Sequence, residues 1–226
     1  MLDEEGKAGT EAAGVAIVRP GRGRPTGAQQ TRRREELLEI ALDVFLERGF
    51  DQTTVDEVAS RVGMSKRTVY ALHDDKSALF KASVRLAIDR YTVPREAIEA
   101  VETGDLEGTL KAVGRLRVDN MATPNGIKLQ RILSAQAYRF PELFQLGFAD
   151  AAGPAVEYLT ELFARYEAAG EIRIAEPRRA ANAYLSLVVG GAGRMIVSGR
   201  QLSGAEIDAH VSFTVGLFLD GIRRRD

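Results

Sequence analysis

Apolar residues recur at helical spacing along this chain from Gln30 onward, and the apolar stripes are interrupted at glycine and proline. Leu37, Leu38, Ala41, Val44, Phe45 and Leu46 predict a first helix running to about Arg48, with Gly49 as its stop. Thr53-Thr54 then precedes Val55-Asp56-Glu57-Val58-Ala59, which places hydroxyl caps and acids where the free N–H groups of a helix start lie. A short second helix ending near Arg61 follows. Gly63 supplies a turn, Ser65 an N-cap, and Lys66-Arg67-Thr68-Val69-Tyr70 a third helix of barely two turns. Asp75-Lys76-Ser77 opens a fourth, carrying Leu79, Phe80, Val84, Leu86 and Ile88 and ending by Pro94. The rest reads as helices punctuated at Gly104, Pro124, Pro141, Gly153-Pro154, Gly170, Pro177 and Gly204. No segment sustains the alternation of a strand; Glu171-Ile172-Arg173-Ile174 comes nearest and reads as a connector. The expected fold class is all-α, with about nine to ten helices.

Two short helices around a glycine turn, buttressed by a longer one, form a helix-turn-helix pattern. The third helix is too short to be stable alone, so burial of Val58, Val62, Val69 and Leu72 must fix it. Its first turn then offers Lys66, Arg67 and Thr68 to the major groove, where Lys or Arg donates to guanine and Thr touches a thymine methyl. Three segments are expected: a basic arm over residues 1–28, a helix-turn-helix domain over 29–75, and a larger helical domain over 76–226. Residues 76–93 form the helix connecting the last two.

A formal net charge of −1 argues against a nucleic-acid partner until the charge is located. Residues 19–36 carry six arginines against two glutamates, whereas residues 1–18 carry four acids and one lysine. Within the arm, Gly21-Arg22-Gly23-Arg24-Pro25 resembles the AT-hook core, in which Arg22 and Arg24 enter a narrow minor groove. A solvated basic linker explains the same residues, and the sequence does not choose.

The chain has no cysteine and only two histidines, His73 and His210, which removes thiol catalysis, thiolate metal sites and any histidine cluster. Gly190-Gly191-Ala192-Gly193 lies inside a helical pattern, with no preceding strand and no following Lys-Ser/Thr, so it is not a phosphate loop. No enzyme, cofactor or metal is expected. No apolar run approaches a membrane span and the N-terminus is acidic, so a cytoplasmic location is the expectation.

Thr53-Thr54, Val58-Ala59, Val62-Gly63-Met64-Ser65, Thr68-Val69-Tyr70 and Lys76-Ser77-Ala78-Leu79-Phe80, in register over about 50 residues, closely resemble the tetracycline-repressor (TetR) family of bacterial regulators. The resemblance implies a helical protomer with a three-helix DNA head and a ligand domain that dimerises through its last two helices. It also places Thr53, Thr54, Ser65, Tyr70 and Lys76 at the family's DNA-backbone contacts. For Tyr70 the alternative is a core aromatic. Leu72-His73 departs from the usual pattern, in which a Phe occupies the second position; His73 either reaches a phosphate or packs half-buried. Leu129-Gln130-Arg131-Ile132, Tyr138-Arg139-Phe140-Pro141-Glu142-Leu143 and Glu171-Ile172-Arg173 resemble the AefR-type ligand domains.

On this reading the protein is a dimeric repressor of palindromic operator DNA, released by a small hydrophobic or aromatic effector. Residues 178–197 and 203–222 are apolar enough to form a four-helix dimer interface, with Leu187, Gly191, Val211, Val215 and Phe218 as contacts. Met121, Ile132, Gln136, Phe144, Phe148, Tyr158 and Phe163 are pocket candidates by position and type, and plain core explains them as well. The fourth helix is expected to be the only continuous link between the domains. The competing reading is a ligand-independent, nucleoid-associated protein that coats DNA with its Arg-Gly arm. A third is a protein-binding module using the apolar C-terminal helices.

Overall fold

The computed structural model describes residues 27–223, except the side chains of residues 144 and 146–150. These form α1 (Gly27–Gln52), α2 (Val55–Val62), α3 (Lys66–Leu72), α4 (Lys76–Tyr91), α5 (Arg95–Glu99), α6 (Leu106–Ala122), α7 (Pro124–Gln136), α8 (Pro141–Ala168), α9 (Pro177–Val197) and α10 (Gly204–Ile222). The all-α expectation holds. The 171–174 segment is a connector, tied by a single antiparallel bridge between Ile172 and Arg223.

The helix boundaries follow from local chemistry. Gly49 interrupts α1 with φ 77° and ψ 165°, a backbone region open to glycine but strained for other residues, and this turns the chain toward α2. Thr54, Ser65 and Asp75 each accept a hydrogen bond from the backbone N–H three residues on, capping α2, α3 and α4. Ser203 and Glu206 form a reciprocal capping box at α10. One expected break does not occur: α8 continues through Pro154. A mid-helix proline costs about 3 kcal/mol, and burial of Ala155, Val156, Tyr158 and Leu159 immediately after it offsets that cost.

Two hydrophobic cores organise the chain. The upper one joins α5, α6, α8, α9 and α10 around Phe163, Tyr184 and Phe218, with Phe218 ring centroids 5.6 Å from Phe163 and 5.4 Å from Tyr184. Gly114 lets α6 approach α9 here, since a Cβ at that position would lie 2.5 Å from the Tyr184 hydroxyl. The lower core holds the inward faces of α1–α4 together with Leu129, Ile132 and Leu133 of α7, Phe140 and Leu143. The Phe140 ring packs edge-on to Phe50 at 5.1 Å and tilted against Phe80 at 5.0 Å, so a residue far along the sequence completes the aromatic centre of this lower core. The expectation of α4 as the only link therefore needs correction: α7 and the start of α8 also bridge, reinforced by Lys128–Asp43 at 2.7 Å and Lys81–Glu142 at 2.7 Å.

α9 is the one described helix long and apolar enough, by length and composition, to cross a membrane. It packs instead against α6, α8 and α10, burying Tyr184, Leu185, Val188 and Ile196.

Candidate nucleic-acid interface and ligand cavity

The first turn of α3 stands clear of the protein. Ser65, Lys66, Arg67 and Thr68 are all exposed, while Val69 is buried beneath them and seats the helix on the lower core. Lys66 donates to Asp56 at 2.8 Å, and this bond raises the affinity of its ammonium for its proton. Thr68 and Ser65 share a hydroxyl hydrogen bond of 2.7 Å. Arg67 has no polar partner among the described residues, which leaves its guanidinium fork free for a base edge.

Around this turn, Thr54 is exposed at the start of α2 and Tyr70 is 42% exposed. The tyrosine is thus not a core aromatic. Two expected phosphate contacts are contradicted. Thr53 is buried, and its hydroxyl donates to the Gly49 carbonyl at 2.8 Å, because the turn at Gly49 leaves that carbonyl without a helical partner. Lys76 directs its ammonium inward to the carbonyls of Phe50 (2.9 Å), Asp51 (3.2 Å) and Thr53 (2.9 Å), over the Phe50 ring at 4.7 Å. An ammonium has three N–H donors, and all are spent closing the α1–α2 turn. His73 is half-buried at the end of α3; burial, then the Arg34 charge, holds its imidazole below the ordinary histidine range.

Arg32 and Arg34, counted among the six arginines of residues 19–36 but not assigned a DNA contact from the sequence, belong to this surface. They line an open groove between the first turns of α1 and the start of α3, together with Ser65 and Thr68. The concentration of arginine in residues 19–36 was the available clue. Arg22 and Arg24 lie outside the described residues.

The ligand candidates disperse. Met121 lines a cavity of about 660 Å³ enclosed by α6, α7, α8 and α9. Phe163 and Ile132 do not line it: Phe163 is fully buried in the upper core and Ile132 in the lower one. Tyr158 does not line it either: its hydroxyl donates to Glu102 at 2.8 Å, and burial, then that bond, hold its pKa above the ordinary tyrosine range. Gln136 does not line the cavity; its carbonyl caps the end of α7 by accepting from the Phe140 N–H at 2.9 Å. The Phe144 and Phe148 side chains lie outside the described residues. Other walls come from residues the sequence did not single out, among them Arg117, Leu133, Leu185 and Val189, and from Leu129, which was noted only within a family motif. Helical spacing marks such residues as inward-facing but cannot separate a cavity wall from solid core.

The dimer candidates divide by face. Val211, Val215 and Phe218 are buried within the protomer's own upper core, so they are not interface residues. Gly191 is packed under His210, whose Nε2 lies 2.8 Å from the Val188 carbonyl. Leu187 is 45% exposed, and the opposite side of α10 presents Phe213 and Leu217 at 72% and 57%. Both helices carry apolar residues all round, so periodicity alone did not identify the outer face.

A family model described as the AefR-like transcriptional repressor C-terminal domain matches residues 108–221, and one described as bacterial regulatory proteins, tetR family, matches residues 37–83. The HTH-type transcriptional repressor Rv1474c of Mycobacterium tuberculosis is 28% identical over 169 residues, covering 74% of this chain and 83% of that protein. The chain is similar in structure to a TetR-family regulator from Mesorhizobium loti, with a TM-score of 0.72, 24% identity, and coverage of 87% and 99% of the two chains. It also resembles the flavonoid-responsive regulator FrrA, with a TM-score of 0.66, 26% identity, and coverage of 87% and 100%.

Proposed function

The chain belongs to the tetR family of bacterial regulatory proteins, which makes it a DNA-binding transcriptional regulator rather than an enzyme, and on that premise we propose that it is a cytoplasmic, dimeric repressor released from operator DNA by a small ligand. Arg67 reads a base edge directly, and Lys66 does so after leaving Asp56. Thr68 lies one residue further along the same exposed turn. Thr54, Ser65, Tyr70, Arg32 and Arg34 grip phosphates on either side and fix register. His73 borders this surface. The arm, with Arg22 and Arg24, adds a minor-groove contact. In domain terms, residues 29–75 form the head and 76–226 the sensing and dimerising part.

Dimerisation uses the outer face of α9 and α10. Exposed Leu187, Phe213 and Leu217 form an apolar stripe of the kind a second copy covers. The observation that carries ligand release is the double membership of Leu129 and Leu133, which wall the cavity on one side and belong to the head's core on the other. A ligand that favours one placement of α7 therefore shifts the head. Moving a two-state balance from one side fully to the other takes about 5.5 kcal/mol of differential binding. The aromatic effector class is supported by the resemblance to FrrA and by the apolar walls.

Footprinting tests this reading. A compact palindromic footprint lost on adding a ligand found by thermal shift is the expected result; ligand-blind coating of DNA would establish the architectural reading instead. Deleting residues 1–28 tests the arm, since each lost phosphate contact lowers the slope of log affinity against log salt by about 0.9.

A further inference from the structure

The cavity is lined by a charge that nothing among the described residues balances. Arg117, on α6, is largely buried, and its Nε is fully shielded with no hydrogen-bond partner. Two residues away, Arg115 is met by Asp119 at 2.7 Å and Asp208 at 2.5 Å. Arg117 has neither a carboxylate nor a carbonyl among the described residues, and burial without a counter-charge pulls its guanidinium below the ordinary arginine range. A guanidinium nevertheless stays ionised in proteins, so the buried cation requires an anion or water. Arg194 adds a second positive charge to the cavity lining, and no acidic side chain among the described residues lines it. The remaining walls are mostly apolar, with Met121, Leu133, Leu185 and Val189 prominent. Buried polar groups in native proteins are nearly always satisfied, and an arginine that lines a cavity with no partner among the described residues leaves a ligand to supply one to the part of its guanidinium that faces the cavity.

We propose that the α6–α9 cavity is built for a small organic acid, with Arg117 holding the carboxylate and the apolar walls of α7 and α9 holding an aryl or acyl body. The planar fork of the guanidinium matches a carboxylate through two parallel hydrogen bonds, a geometry that a neutral amide does not reproduce. This assigns a chemical class to the effector and rests on the sensing role given above. Arg117 selects the class of effector; the walls select its shape.

The test is calorimetric titration of the full-length protein with 2-naphthoate and 2-naphthamide, which share a ring system and differ in charge. Wild type should bind the carboxylate at least about tenfold more tightly. Arg117→Met should abolish that preference by weakening naphthoate alone, and Arg117→Lys should keep part of it. Arg117→Met should also raise the melting temperature of the ligand-free protein, because it removes an unpaired buried charge; a purely packing role predicts a decrease. Equal affinity for the two probes, no naphthoate binding at millimolar concentration, or a preference that survives Arg117→Met overturns the proposal. Naphthoate binding that leaves the operator complex intact counts against the release reading alone. Release by an uncharged ligand, without carboxylate preference, leaves release standing and removes this proposal.

Discussion

Replacing Lys76 with methionine separates two roles for this residue that sequence and structure assign differently. The substitution keeps the apolar stem and removes a charge that donates to the carbonyls of Phe50, Asp51 and Thr53. A hydrogen bond to a charged group contributes about 1.5–3 kcal/mol net, and less where water replaces the donor. The Asp51 contact is exposed, while those to Phe50 and Thr53 are partly buried, so two of the three carry most of the effect. The cation above the Phe50 ring, 4.7 Å from its centroid, is lost as well. The expected destabilisation is about 2–4 kcal/mol, which for a chain of this size lowers the melting temperature by about 5–12 °C. Measured on folded protein below that temperature, the salt dependence of operator binding should be unchanged. A phosphate-gripping Lys76 predicts the reverse: an unaltered melting temperature and a salt slope reduced by about 0.9. That outcome would refute the inward cap.

Arg67→Ala should remove operator preference worth about 1–3 kcal/mol in anisotropy titrations, while Lys66→Ala costs less because part of the lysine's charge is already committed to Asp56; equal losses would show that the Asp56 contact does not restrain Lys66. Phe213→Glu should convert the dimer to a folded monomer in sedimentation velocity, whereas Val215→Glu should unfold the protein by burying a charge in the upper core; an unaffected dimer in Phe213→Glu places the interface elsewhere. His73 is held below the ordinary histidine range by burial and Arg34, so the unfolded chain takes up its proton first as pH falls. Its contribution is complete above about pH 6.5 and is lost as pH falls through the folded value. Urea denaturation at pH 7.5 and 5.5 should therefore show a smaller acid loss in His73→Gln than in wild type, and identical losses would contradict this.

The helix-turn-helix was legible because its determinants are local. Thr54, Ser65 and Asp75 cap the helices they precede, Gly49 and Gly63 turn the chain where only glycine does so without strain, and each signal lies within a few residues of its effect. The exposed position of Lys66, Arg67 and Thr68 followed from the burial of Val69 on the other side of one short helix. Pro154 shows the limit of local rules, since its disruptive tendency is outweighed by the burial of the residues that follow it in a core assembled from other helices.

What only the tertiary structure decided are questions of which neighbour a residue faces. Lys76 and Thr53 have the right types and spacing for phosphate contacts, but they close a turn whose unpartnered carbonyls appear only when α1, α2 and α4 meet. Val211 and Phe213 are two residues apart on one apolar helix, yet one fills the core and the other faces outward. Phe163 is solid core, whereas the polar, unremarked Arg117 borders the cavity. Capping, turning and helical periodicity act along the chain and are written in its order; burial, cavity and charge pairing arise where separate helices converge, and the order of residues does not specify that convergence.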